Sequence, residues 1–118
     1  LVGADRVAAD GATTAVIGTF GLAELAERHH VPLFVATPLV TVDAAVADAA
    51  ASAVESERYA DLGVELVAPE TLQGSVQARG PVQDVTPPEL IAGLLTEAGL
   101  LSPPFGPALA SALAAGGA

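Results

Sequence analysis

LVGADRVAAD, residues 1–10, together with the Gly11 that follows, is the stretch from which the fold of this chain is read. Leu1 and Val2 read as the last residues of a buried strand, and Gly3-Ala4 lets the backbone leave the sheet closely packed. Asp5 then stands at the strand's carboxyl end, where open α/β sheets place their chemistry. Asp10-Gly11-Ala12-Thr13-Thr14 is rich in helix-starting residues. The periodic run over residues 13–29 predicts a helix whose free N–H groups point back toward the space beside Asp5. A carboxylate and a helix N-terminus are expected to share one crevice.

Working outward, the helix over residues 13–29 carries Ile17, Gly21, Leu22, Leu25 and Ala26 near one stripe, with Glu24, Glu27 and Arg28 on the wet side. Gly18 and Gly21 each cost roughly 1 kcal/mol against alanine in a helix interior. That cost calls for close helix-to-strand contact, and Gly18 is expected to face the sheet. His29-His30-Val31-Pro32 ends the helix. Residues 32–36, Pro-Leu-Phe-Val-Ala, form a short apolar strand bounded by Pro38. Strand, helix and strand have the length of a right-handed parallel crossover. The fold class is therefore α/β, with a Rossmann-like, mostly parallel sheet flanked by helices.

Beyond Pro38, residues 41–53 are alanine-rich and weakly amphipathic, with Thr41 or Asp43 as candidate helix caps. Residues 55–59 form a polar link, residues 64–69 alternate like a short edge strand, and residues 70–83 read as a long loop. In Asp84-Val85-Thr86-Pro87-Pro88-Glu89, Thr86 as N-cap, proline at the first helical position and Glu89 three residues after the cap spell a capping box. Leu90, Ile91, Leu94 and Leu95 are its expected buried stripe, and Gly99 its left-handed terminator. Residues 107–113 predict a last short helix, and residues 116–118 are expected to fray.

Composition narrows the possible partners. With 118 residues, 52% of them hydrophobic, the chain buries one modest core and calls for one domain or part of one. The formal charge of -10 comes from fourteen acidic residues against Arg6, Arg28, Arg58 and Arg79, with no lysine. Such a chain repels phosphate backbones, which argues against nucleic acid; a bound phosphate relies on backbone N–H groups or on those arginines. Cysteine is absent, which excludes disulfides, thiolate metal sites and cysteine nucleophiles within these residues. The apolar stretches are interrupted before the ~18 to 20 residues a membrane helix needs. No basic leader precedes an apolar segment, so a cytoplasmic location is the expectation. Because the chain opens on Leu1, inside a strand, it is expected to be the C-terminal part of something longer.

Several side chains admit two readings. Asp5 is either a strand-end residue capping a neighbouring loop or a catalytic carboxylate. His29 and His30 are adjacent, point in different directions and have no cysteine or third histidine to help them hold a metal; they suit the negative end of the helix dipole. No metal or cofactor is called for. Thr13 and Thr14 are simple caps or anion contacts. Arg6 pairs with Asp10 or reaches a phosphate, the pairing being the simpler. Asp84 lines the crevice or serves a helix dipole.

Four segments, in order and with matching spacing, carry a resemblance: Gly3-Ala4-Asp5-Arg6-Val7, Ile17-Gly18-Thr19-Phe20-Gly21-Leu22-Ala23, His30-Val31-Pro32-Leu33-Phe34-Val35-Ala36, and Asp84-Val85-Thr86-Pro87-Pro88-Glu89-Leu90-Ile91. Together they resemble the C-terminal lobe of methylthioribose-1-phosphate isomerase. The same superfamily includes ribose-1,5-bisphosphate isomerase and the regulatory subunits of the exchange factor for translation initiation factor two. The likeness covers nearly the whole chain and is weakest over residues 40–83.

The resemblance implies that residues 1–118 form the C-terminal Rossmann-like lobe of a longer sugar-phosphate isomerase-like protein, acting as a homodimer with an upstream lobe. It implies conversion of an aldose 1-phosphate into its ketose in methionine salvage, without a cofactor. Asp5 matches the family's catalytic aspartate, a general acid or base on the sugar oxygens; that aspartate's partner is a cysteine from the upstream lobe. Ala15 and Val16 fall at the substrate-contacting positions, where the family carries Asn-Lys, so only their backbone N–H groups remain. Asp10 stands where the family has asparagine. These departures leave a second expectation open, a noncatalytic member that keeps the fold for ligand binding or assembly.

Overall fold

The computed structural model describes residues 1–48 and 83–116. Two short strands open the chain, β1 (Val2–Gly3) and β2 (Arg6–Ala8), followed by β3 (Thr13–Val16) and helix α1 (Thr19–Arg28). Then come β4 (Phe34–Ala36), a 3-10 turn over Leu39–Thr41 and β5 (Val42–Asp43). After the undescribed stretch follow β6 (Gln83–Thr86), a 3-10 turn over Pro88–Leu90, β7 (Gly93–Thr96), β8 (Gly99–Leu101) and α2 (Phe105–Gly116).

Among the described residues the strands form two four-stranded sheets, ordered β1-β4-β7-β8 and β5-β2-β3-β6. In the first, β1, β4 and β7 run parallel and β8 closes the edge antiparallel. This is the parallel sheet expected from the opening strand and residues 32–36, so the α/β class holds. The second sheet was not foreseen. It is mixed, with β3 antiparallel to both β2 and β6, and β5 parallel to β2.

That second sheet corrects the helix expected over residues 13–29. Only Thr19–Arg28 is helical, and residues 13–16 are a strand. The physical reason is the Asp10-Gly11 turn. Gly11 has φ +95, the Asp10 carboxylate accepts from the Ala12 N–H at 2.8 Å, and Ala8 N–H donates to Ala12 O at 2.8 Å. Asp-Gly between β-forming residues is a hairpin signal, and β-branched Thr13 and Thr14 pack well on a pleated surface. Both threonines are buried.

The capping-box helix expected after Thr86 is likewise replaced by strand, 3-10 turn and strand. Thr86 belongs to β6, its buried hydroxyl has no hydrogen-bond partner among the described residues, and Pro87 takes the cap position. A residue before proline is pushed toward extended backbone. Past Leu90 the chain is extended because Leu94 and its neighbours are claimed by β4 on one side and β8 on the other. Gly99 does adopt a positive φ, +110, but in the β7–β8 turn rather than at a helix end. The last helix is longer than expected, Phe105–Gly116. Within residues 41–48 there is no helix, only the end of a 3-10 turn and β5. The expectations for residues 49–82 and 117–118 lie outside the described residues.

One core joins the two sheets: Val7 from the second, Val35 and Leu94 from the first, Ile91, and Phe105 and Leu109 from α2, all buried. Helix α1 buries Thr19 and Ala23, while Leu22 and Leu25 of the expected stripe are about half exposed. Its C-terminus is a Schellman motif, in which His30 takes φ 55 and Val31 N–H and His30 N–H donate to Ala26 O and Glu27 O. The two histidines thus sit at the negative end of the helix, as expected.

The glycines separate by what surrounds them. A Cβ on Gly11 would lie 2.6 to 2.8 Å from Phe105 side-chain atoms, and its φ disfavours any other residue. A Cβ on Gly18 or Gly21 meets nothing within 4 Å, so the close sheet contact expected of them is absent. Gly18 is instead required by its φ of +102. Gly11→Ala is therefore expected to lose more than about 2 kcal/mol of stability, and Gly21→Ala to gain about 0.5 to 1 kcal/mol. Urea denaturation of the two variants checks both signs.

Candidate functional site

The opening pair of residues ends where the second sheet begins, and Asp5 occupies that step. Its N–H donates to Thr14 O at 2.9 Å, which ties it beside the middle of β3. An open crevice of about 570 Å³ lies here, lined by Val2, Gly3, Ala4 and Asp5, by Ala15 and Val16 at the end of β3, and by Ile17, Gly18, Thr19 and Leu22 at the start of α1. The carboxylate and the helix start thus share one crevice, as the sequence predicts. The helix reaches it three residues after β3 instead of running on from Thr13.

Ala15 and Val16 both border the crevice, in different ways. Ala15 is 4% exposed and paired to β6, while the Val16 side chain is 66% exposed. Thr13 and Thr14 lie inside the sheet and do not line the crevice; the Thr13 hydroxyl donates to Gly11 O. Arg6 lies 4.0 Å from the Asp43 carboxylate, both side chains being about two-fifths exposed or more. The expected Arg6–Asp10 pairing is therefore replaced, because the hairpin turn gives the Asp10 carboxylate to Ala12 N–H. An ion pair so exposed adds little stability. No group of three or more His, Asp or Glu side chains able to hold a metal occurs among the described residues.

The start of α1 is occupied from within the chain. Asp84 Oδ2 accepts from Gly18 N–H at 2.8 Å and from Phe20 N–H at 3.1 Å, placing a negative charge at the positive end of the helix. Asp84 does so from β6, opposite Ala15, rather than from the residue just before a helix. Of its two oxygens, Oδ1 is buried without a hydrogen-bond partner among the described residues. Two of the amides expected to face an anion are thereby satisfied by an internal carboxylate.

Gln83 is the site residue that the sequence reading missed. Assigned to a loop, it is the first residue of β6, and its side-chain Nε2 donates to Asp5 Oδ2 at 2.8 Å. The available signal was the β-branched pair Val85-Thr86 ahead of two prolines, which favours an extended segment over a helix start.

The sequence profile of the initiation factor 2 subunit family matches residues 1–103. The chain belongs to that family. Among its relatives in the initiation factor 2 subunit family, a methylthioribose-1-phosphate isomerase of an Anaeromyxobacter species is 46% identical over 94% of this chain and 33% of its own length. One from Desulforudis audaxviator is 45% identical over 98% of this chain and 33% of its own length. The chain thus spans about a third of the length of the curated relatives it matches. Of solved structures, the 5-methylthioribose 1-phosphate isomerase of Pyrococcus horikoshii superposes with a TM-score of 0.80 at 30% identity, covering 97% of this chain and 32% of that one. The delta subunit of translation initiation factor eIF-2B from A. fulgidus gives 0.75 at 31% identity, covering 96% and 33%.

Asp84→Ala removes both acceptor contacts at the start of α1. It is expected to lower stability by about 1 to 2 kcal/mol. Asp84→Asn, which keeps a neutral oxygen in place, should lose less than half of that in the same denaturation assay.

Proposed function

We propose that this chain is the C-terminal lobe of an aldose–ketose isomerase acting on a sugar 1-phosphate, methylthioribose 1-phosphate being the substrate, in methionine salvage. The observation that carries the reading is Asp5, exposed at the strand end, in one crevice with Ala15, Val16 and the start of α1. The identity to named isomerases over nearly the whole chain supports it.

The chemistry suits a single mobile proton carrier. Ring opening breaks the C1–O4 bond and leaves O4 in need of a proton, while the C2 hydroxyl loses its proton as that carbon becomes the ketone. The hydrogen on C2 ends on C1. A carboxyl that takes the proton from O2 and returns it to O4 balances the oxygens, and Asp5 is the group in the crevice with the reach and exposure to do so. The family's cysteine partner belongs to an upstream lobe, so the reading needs that lobe, and a homodimer as in the isomerases it resembles. A cytoplasmic setting fits a small-molecule reaction. No helix of the described residues is long and apolar enough to cross a membrane.

Ala15 and Val16 favour a second reading, a noncatalytic module. With no side-chain amide or ammonium at those positions, and two helix amides held by Asp84, polar contacts to a sugar phosphate within this lobe fall to what backbone remains. The two readings separate on one experiment. The complete gene product is given methylthioribose 1-phosphate and the ketose is followed by NMR. Turnover that falls about 10² to 10⁴-fold in Asp5→Asn is the expected result. Turnover that survives this change removes Asp5 from its role, and none in either protein leaves the binding module.

A further inference from the structure

We propose that Gln83 is the positioning residue of the Asp5 carboxylate, an inference that rests on the isomerase reading and deepens it. The sheet order is β5-β2-β3-β6, so β3 separates β6 from the β1–β2 step that carries Asp5. Pairing of Val16 with Gln83 fixes where the glutamine starts, and its side chain spans β3 to place Nε2 2.8 Å from Asp5 Oδ2. Asp5 is held at both ends: its backbone N–H by Thr14 O, and one carboxylate oxygen by the amide. Oδ2 is fixed, and Oδ1, without a hydrogen-bond partner among the described residues, is left to meet a substrate.

A primary amide suits a carboxyl that must both take and give a proton. Its NH₂ donates to the ionised form, and turned about its last torsion the same group presents Oε1 to accept from the protonated form. An ammonium or guanidinium at this place would support the ionised state alone. Length matters as well as chemistry, since asparagine is one methylene too short to cross β3.

In the complete gene product, Gln83→Met and Gln83→Asn are both expected to lower kcat for methylthioribose 1-phosphate about tenfold, with KM within about twofold and melting temperature unchanged. A merely structural role would move stability, or KM and kcat together. Independently of turnover, the Gln83 side-chain amide protons in the ¹⁵N-labelled protein are expected to shift when Asp5 is replaced by asparagine. If kcat stays within twofold in both variants, or the amide resonances ignore Asp5→Asn, Gln83 does not position Asp5. If wild type shows no turnover, the isomerase reading fails by itself, and the amide resonances still decide whether Gln83 holds the carboxylate.

Discussion

Strands of two to four residues carry too few side chains for either sheet to make a core by itself. What makes the fold possible is one apolar contact in which Val7 of the mixed sheet meets Val35 and Leu94 of the parallel sheet under Phe105 and Leu109 of α2. Burying side chains of this size contributes roughly 1.5 to 3 kcal/mol each, and here the contributions fall on residues from both sheets and a helix. The Asp10-Gly11 turn is part of the same contact, since Phe105 packs where a Cβ at Gly11 would be. Hairpin, sheet and C-terminal helix therefore depend on one shared contact.

The crevice lies beside that arrangement, between the step from β1 to β2 and the start of α1. Asp5 lines it, and one oxygen of Asp84 is bound at the helix start beside it, each carboxylate anchored by neutral donors. The division of labour is legible in those bonds. Asp84 spends an oxygen on two backbone amides and stabilises the helix, while Asp5, exposed in the crevice, has a partner for only one oxygen among the described residues. Membership of the initiation factor 2 subunit family accounts for the framework. It does not fix the chemistry, because that family's relatives include both isomerases and a translation factor subunit.

Much of this was readable from residues. The strand end at Val2–Gly3, the parallel partner at Phe34–Ala36 and the position of Asp5 follow from apolar runs bounded by glycine and proline, signals that depend on short-range composition. The failures share a cause. Residues 13–16 and 93–96 carry helix-like spacing, yet each segment pairs with a strand on either side, and that pairing comes from residues more than sixty positions away for β3–β6 and β4–β7 partly across the same gap. Leu90, Ile91, Leu94 and Leu95 fit a helical stripe as well as a buried strand. Only the neighbours choose between them. Gln83 escaped notice for the same reason, since its partner lies across an intervening strand.

Strand β6 also concentrates a vulnerability. Two consecutive residues on it, Gln83 and Asp84, meet an acid and a helix start respectively. Since side chains alternate along a strand, a one-residue slip exchanges every position. The slipped alignment would carry Asp84 toward the place of the glutamine, setting like charges against each other, and would strip the helix of its acceptor. An insertion or deletion within this four-residue segment would thus break both contacts, and the spacing between its glutamine and the following pair of prolines is the ruler that keeps the two acids apart.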